Sequence, residues 1–140
     1  MAQDRPTVRV GFSVTNHHSE KIRPRGRELL SAYLESLEKS CNYPFDVFIV
    51  DNESEDRLDE TTLPDHYHYY YVEDQSKGGL TNAWNTGIRE AFKHDCDIVF
   101  NTNEDLTFND SINNFVDLIL DHGDSDVALY GPLSDGVSTH

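Results

Sequence analysis

The chain is 140 residues long, which suits a single domain, since about 100–200 residues per domain is usual. Its 11 Lys and Arg residues stand against 26 Asp and Glu residues, and the net charge of −15 argues against nucleic acid and anionic lipid as partners. A small phosphorylated ligand is compatible with this negative charge if a metal ion supplies positive charge. No apolar run in the sequence approaches the about 20 residues that a membrane-spanning helix needs.

The first half of the chain predicts two strands with a helix between them. Residues 8–14 are mostly β-branched or aromatic, which is typical of a strand, and a polar cluster at residues 15–18 follows. Leucine and tyrosine side chains then recur at helical spacing over residues 25–40. Residues 45–50 are a second apolar strand, which the turn-forming residues 51–56 are predicted to end.

The second half predicts further strands and helices in alternation. Residues 67–72 form a Tyr-rich strand, and an apolar stripe over residues 80–92, which includes Trp84 and Phe92 as core residues, predicts a helix. A strand over 97–102, a helix capped by Asn109, and a fifth short strand over 127–130 follow. The order predicts an α/β fold with a mostly parallel sheet flanked by helices.

Three polar clusters, at residues 15–18, 51–56 and 103–105, follow predicted strands. The carboxyl ends of parallel strands share one edge of a sheet, where open α/β folds bind ligands, so we expect the clusters to converge. Asn and Asp oxygens are hard ligands that suit Mg²⁺ or Mn²⁺, and these ions usually arrive with phosphates. The sequence therefore predicts a site for a nucleotide or another phosphate compound.

These residues resemble family 2 glycosyltransferases, which have the GT-A (Rossmann-like) fold. The resemblance consists of four blocks in order: the first strand ending in Thr15, Val-Asp-Asn-x-Ser-x-Asp at 50–56, Gly-x-x-x-x-x-Asn-x-Gly-Ile at 79–88, and Asn-x-Asp at 103–105. It covers about residues 8–132 and implies that residues 1–140 are one donor-binding domain. In the family the acceptor surface and the catalytic base lie beyond the fifth strand, so no residue here is assigned as the base.

The resemblance implies roles for the polar clusters. Asp51 would accept a hydrogen bond from the nucleobase, most simply from the imide N–H of uracil or thymine, because an ionised carboxylate only accepts. Thr15 would line the same base pocket, and His17 would stack on the base unless it is an exposed loop histidine. Asp105 matches the second aspartate of the family's DXD motif, with Asn103 in the first position. The pair would hold Mn²⁺ or Mg²⁺ on the diphosphate, and Asn103 would alternatively bind the donor ribose.

The remaining candidates include residues of the loop and helix after the third strand. Lys77 stands where the family usually has Asn, and its charge would offset that of the diphosphate unless it is a solvated loop lysine. Gly79, which begins the family's helix motif, is counted among the donor-binding residues. Asn85 and Gly87 are interpreted as structural: Asn85 ties the helix to a loop and Gly87 permits close packing. Glu104 is either a surface side chain or a water-mediated contact.

The implied reaction is inverting, metal-dependent transfer of a sugar from a nucleotide-diphosphate sugar, with a UDP- or dTDP-sugar favoured, to a hydroxyl of a glycan or another acceptor. The alternative is a non-catalytic nucleotide-sugar-binding or interaction module, which the missing base and Asn103 motivate. A nucleotidyltransferase is a weaker option, because Arg23, Arg25 and Gly26 match its Gly-rich basic loop imperfectly. A dinucleotide-binding Rossmann domain is disfavoured, since no Gly-x-Gly-x-x-Gly follows the first strand.

The cysteines and the other histidines do not predict a metal site. Cys41 and Cys96 have no metal-ligand spacing and are interpreted as reduced, structural thiols. His66 and His68 share one face of a strand but lack a third ligand. No charged-then-apolar leader begins the chain, so we expect a cytoplasmic protein.

Overall fold

A computed structural model describes residues 8–122. Its strands are β1 (Val10–Asn16), β2 (Phe45–Asn52), β3 (Tyr67–Val72) and β4 (Ile98–Asn103), and its α-helices are α1 (Gly26–Ser40), α2 (Thr81–Lys93) and α3 (Ser111–His122). The four strands form one parallel sheet in the order β3-β2-β1-β4. The predicted α/β class, with a parallel sheet flanked by helices, is confirmed.

Strands β1 and β2 extend further into polar sequence than predicted. Asn16 pairs in register with Asp51, so the ladder of backbone hydrogen bonds continues beyond the apolar core, and β2 ends only at Asn52. The other elements lie within about one residue of the prediction, and Asn109 accepts the Ser111 backbone N–H at 2.9 Å, as expected of a helix cap. The predicted strand over 127–130 lies outside the described residues.

Alternate side chains along each strand pack on opposite faces of the sheet. On one face Phe12, Val14 and Ile49 form the main core with side chains of α1 and α3. On the other face Phe48 packs with Ala91 of α2. The sheet is therefore covered on both sides, as a parallel sheet requires.

Both cysteines are free thiols. Burial raises the pKa of the Cys96 thiol to about 11, which keeps it protonated at neutral pH.

The two aromatic side chains of α2 that the sequence assigns to the core differ in burial. Trp84 is half-buried, whereas Phe92 is 49% exposed, so the assignment of Phe92 to the core is wrong. None of the helices within residues 8–122 combines the length and apolar character needed to cross a bilayer.

Gly87 allows α2 to lie directly against the sheet. A Cβ atom at this position would come within 1.8 Å of Ser13 Oγ, which confirms the predicted close contact. The Asn85 side chain is exposed and has no hydrogen bond within the described residues, so it does not tie α2 to a loop as predicted. Asn82 does so instead, by donating to the Asp74 carboxylate at 2.8 Å.

Gly87→Ala should lower the free energy of unfolding by about 1–3 kcal/mol, because the added methyl group overpacks against buried Ser13. This cost should outweigh the better helix propensity of alanine. Asn85→Ala, at an exposed position of the same helix, should be neutral or stabilise by up to about 0.7 kcal/mol. Urea unfolding followed by circular dichroism measures both, and equal stability of the two variants would contradict the close contact.

Candidate nucleotide-binding site

A cleft of about 310 Å³ opens at the carboxyl edge of the sheet, where β1, β2 and β4 end. Four predicted site residues line it: Thr15, His17, Asn103 and Asp105. The other lining residues are Ile22, Arg23, Asn52, Gln75, Leu80 and Glu104. The three polar clusters of the sequence thus meet at one edge, as expected for parallel strands.

Asp51 and Asn52 are neighbours on β2 and point to opposite faces of the sheet, so only Asn52 reaches the cleft. Asp51 is fully buried on the α1 side. One of its carboxylate oxygens accepts the Ser54 N–H at 3.0 Å, and the other accepts from Arg27 at 3.2 Å and from the Tyr69 hydroxyl. The carboxylate that the sequence assigns to a nucleobase therefore already has donors within the fold on both oxygens.

Tyr69 remains a reliable donor to Asp51. Burial, together with the hydrogen bond to this carboxylate, raises the pKa of Tyr69 to about 12. The hydroxyl is therefore protonated at neutral pH, and it stabilises the charge that burial of Asp51 would otherwise disfavour.

Asn52 lies between the cleft and the loop before α2, and its side chain is as fully buried as that of Asp51. Its Nδ2 donates to the Gly79 carbonyl at 3.2 Å, and its Oδ1 accepts the Asp74 N–H at 2.9 Å. Its backbone carbonyl accepts from His17 Nδ1 at 2.8 Å. The period of two along β2 could have identified Asn52, since Val50 and Asn52 share a face and Asp51 faces the other way.

Two predicted donor-binding residues, Lys77 and Gly79, do not line the cleft. Lys77 is exposed at the end of the short 3₁₀ helix Gln75–Lys77, and its side chain has no ion pair within residues 8–122. Gly79 holds the loop through its backbone, because its N–H donates to the Asp74 carbonyl at 2.9 Å. The loop instead presents Gln75 and Leu80 to the cleft.

Thr15 and His17 bring unpaired polar atoms to the cleft. Thr15 Oγ1 and His17 Nε2 are buried and have no hydrogen-bond partner within the described part of the chain. Most buried polar groups in folded proteins are paired, so these two atoms are available contacts for a ligand. His17 is only 8% exposed, and the reading of it as an exposed loop histidine is wrong.

Glu104 is a buried carboxylate between two exposed neighbours. Its Oε1 accepts from Asn16 Nδ2 and from the His17 N–H, the latter at 3.1 Å, and its Oε2 forms an ion pair with Arg23 Nε. The sequence reading of Glu104 as a surface side chain is therefore wrong. Asn103, the last residue of β4, and Asp105 are exposed, whereas Glu104, in the turn that follows β4, is buried against the end of β1 and Arg23.

Asn103 and Asp105 are the side chains available to a divalent cation. Both are exposed, and neither side chain has a hydrogen-bond partner within residues 8–122. In the same range no group of three or more His, Cys, Asp or Glu side chains is arranged to hold a metal. One carboxylate with one amide fits Mg²⁺ or Mn²⁺ if the ion is held mainly by nucleotide phosphates and waters, which is the usual mode for Mg²⁺.

A parallel sheet with a polar cleft at its carboxyl edge is the arrangement in which open α/β domains bind nucleotides. The chain belongs to glycosyl transferase family 2, whose family model matches residues 24–139. This confirms the resemblance read from the sequence and the class of enzyme to which the chain is related. No curated protein matches the sequence.

Solved structures with a similar fold include two of one protein fragment. The crystal structure of S. aureus TarS 1–349 superposes with a TM-score of 0.58, at 19% identity over 81% of this chain and 32% of the fragment. The same fragment in complex with UDP gives a TM-score of 0.59, at 20% identity over 82% of this chain and 33% of the fragment. The chain thus spans about a third of the TarS fragment, and the likeness establishes the GT-A-like fold.

Glu104→Gln should lower the free energy of unfolding by about 1–3 kcal/mol, because it weakens buried, charge-assisted hydrogen bonds to β1 and Arg23. Asp105→Asn is the matched control: it removes the next carboxylate of the same loop, which is exposed and unpaired within residues 8–122, and should leave stability nearly unchanged. Denaturant titration of both variants tests this, and a control that is as damaging as Glu104→Gln would contradict the structural role of Glu104.

Proposed function

We propose that the chain is the donor-binding part of an inverting, metal-dependent glycosyltransferase. The donor is a UDP- or dTDP-sugar, and the acceptor is a hydroxyl of a glycan or another molecule. One observation carries the proposal: the cleft combines the cation Arg23 with polar side-chain atoms of Thr15, His17 and Asp105 that have no partner within residues 8–122. Membership of family 2 supports sugar transfer, and the TarS structure with UDP supports a uridine nucleotide by analogy.

In this proposal the base occupies the part of the cleft next to Thr15, His17 and Asn52. The Thr15 hydroxyl and His17 Nε2 face polar atoms of a pyrimidine base, and Ile22 and Leu80 supply apolar surface for its ring. Asn52 replaces Asp51 as the residue that reads the base. An amide has two N–H donors and two acceptor lone pairs, so Asn52 keeps one of each after its bonds to the loop. This remaining N–H donor and remaining acceptor lone pair of Asn52 complement the imide edge of uracil or thymine.

The diphosphate occupies the part of the cleft next to Asp105 and Asn103. Asp105 would supply a charged ligand and Asn103 a neutral carbonyl to Mn²⁺ or Mg²⁺. When bound, such an ion stabilises the negative charge that develops on the departing diphosphate. Because Asn103 contributes no charge, the two side chains alone would hold the ion weakly, and the nucleotide would bring it.

Inverting transfer also needs a base within hydrogen-bond reach of the acceptor hydroxyl. Two carboxylates line the cleft within residues 8–122: Glu104 is engaged by Arg23, and Asp105 is assigned to the metal. We therefore assign residues 8–122 to donor binding and expect the base from outside these residues. The lack of a free carboxylate for the base among the cleft residues within residues 8–122 also favours the second candidate, a non-catalytic nucleotide-sugar-binding module. An assay of sugar transfer distinguishes the enzyme from the binding module.

Calorimetric titration with UDP, in Mn²⁺ and in EDTA, tests the nucleotide site. We expect binding at least about tenfold tighter with Mn²⁺, because the ion links the diphosphate to Asp105. Asp105→Asn should remove this dependence and leave the melting temperature unchanged. Equal affinity of the unmodified chain in both buffers would contradict the metal requirement, and the absence of binding to both UDP and dTDP would contradict the proposed function.

Titration with uridine tests which residue of β2 reads the base. Asn52→Ala should weaken uridine and UDP by the same factor of about 5–10, the value of about one hydrogen bond. Asp51→Asn should instead lower stability, because it weakens the buried pairing with Arg27, and should leave uridine affinity within about twofold. The opposite ranking of the two variants for uridine would restore the base-binding role of Asp51.

A further inference from the structure

The segment between β1 and α1 carries a cation into the cleft, and we propose that this residue, Arg23, binds the diphosphate of the nucleotide while Glu104 holds its guanidinium in place. The inference rests on the proposed function and adds a phosphate-binding residue to it. The sequence had suggested Lys77 for this task, but Lys77 does not line the cleft.

The backbone of Arg23 is fixed by a small closed loop. Arg23 and Ser19 exchange two backbone hydrogen bonds, of 3.0 and 3.2 Å, and the Ser19 hydroxyl accepts the Ile22 N–H at 3.0 Å. The Arg23 carbonyl also accepts the Gly26 N–H at 3.1 Å, at the first residue of α1. Ser19 is 6% exposed, so the base of this loop is buried and the Arg23 backbone is set before any ligand binds.

The guanidinium of Arg23 is oriented by a carboxylate that is itself held in place. Glu104 receives hydrogen bonds from Asn16 and His17 on one oxygen and from Arg23 Nε on the other. Arginine has five N–H donors, and only the Nε–H of Arg23 has a partner within residues 8–122. The four N–H groups on its terminal nitrogens therefore remain for a ligand, in the planar arrangement that binds phosphate oxygens in pairs.

The charges around the cleft also favour this role. Arg23 is the only Lys or Arg that lines the cleft within the described residues, in a chain of net charge −15. The Glu104 side chain is 7% exposed, whereas that of Arg23 is 42% exposed. Both residues line the cleft, and Arg23 is the more accessible end of the ion pair. A diphosphate placed beside Asp105 needs such a positive charge, in addition to any metal ion.

The test compares uridine, UMP and UDP by calorimetry at one fixed Mn²⁺ concentration. The variants are Arg23→Gln and Arg23→Lys, with Arg25→Gln as the matched control. Arg25 belongs to the same basic segment, but it pairs with Glu28 on the surface and does not line the cleft. The measured quantity is the ratio of UDP affinity to uridine affinity, which isolates the contribution of the phosphates.

We expect Arg23→Gln to lower this ratio by about tenfold or more, with uridine affinity unchanged, and Arg25→Gln to lower it by no more than about twofold. Equal effects of the two Gln variants would overturn the inference, because they would indicate net charge alone. An equal loss for uridine and UDP in Arg23→Gln would also overturn it, since the residue would then act through the fold.

The Arg23→Lys variant tests the role of Arg23 in diphosphate binding if the Arg23→Gln variant does not fold. It keeps the charge but loses the planar arrangement of donors, so the ratio should fall at least about threefold, and an unchanged ratio would overturn the inference. Failure of the proposed function looks different: the unmodified chain would then bind neither uridine nor UDP, whereas failure of this inference alone leaves tight UDP binding in the Arg23 variants.

Discussion

The carboxyl edge of the sheet depends on the burial of one charge, the carboxylate of Glu104. A buried carboxylate left without hydrogen-bond donors would cost about 1–3 kcal/mol or more. Glu104 avoids that cost by drawing the end of β4 onto the end of β1 and by fixing Arg23. The same bonds leave Asn103 and Asp105, on either side, turned outward into the cleft. The hydrogen bonds that stabilise the buried Glu104 carboxylate thus also determine which side chains at the end of β4 line the cleft.

A second buried carboxylate, Asp51, stabilises the end of β2. It is held by α1 through Arg27 and by β3 through Tyr69, and it anchors the end of β2 on the face away from the cleft. Its neighbour Asn52 then faces the cleft and holds the loop before α2. At both strand ends one acidic side chain is used by the fold and a neighbour lines the cleft: the exposed Asn103 and Asp105 beside Glu104, and Asn52, itself fully buried, beside Asp51.

The sequence predicted the parts of the fold that depend on strand composition and on helical periodicity. All of β3 followed from its Tyr-rich composition, and the helices followed to within about one residue from apolar side chains at helical spacing. The ends of β1 and β2 were not predicted, because polar residues there continue the ladder of backbone hydrogen bonds. Phe92 also misled, since the sheet covers Ala91 and leaves Phe92 half exposed at the edge of the stripe.

The candidate site was only partly predictable, for a related reason. Residue type indicated Thr15, His17, Asn103 and Asp105, all of which line the cleft. It could not distinguish buried Asp51 and Glu104 from exposed carboxylates, because their partners, Arg27 and Arg23, are more than twenty residues away in the sequence. Strand alternation would have separated Asp51 from Asn52. The position of Arg23 required the folded loop between β1 and α1.

We propose that the cleft at the carboxyl edge is a nucleotide-diphosphate site, with the base next to β2 and the phosphates next to Arg23 and Asp105. Amide chemical-shift changes, measured by NMR with uridine and then UDP on the same sample, map where each part of the nucleotide binds. We expect uridine to shift the amides of His17 and Asn52, and UDP to shift these and also those of Arg23 and Asp105. Shifts that cluster away from the cleft, or uridine shifts confined to Asp105 and Arg23, would contradict it.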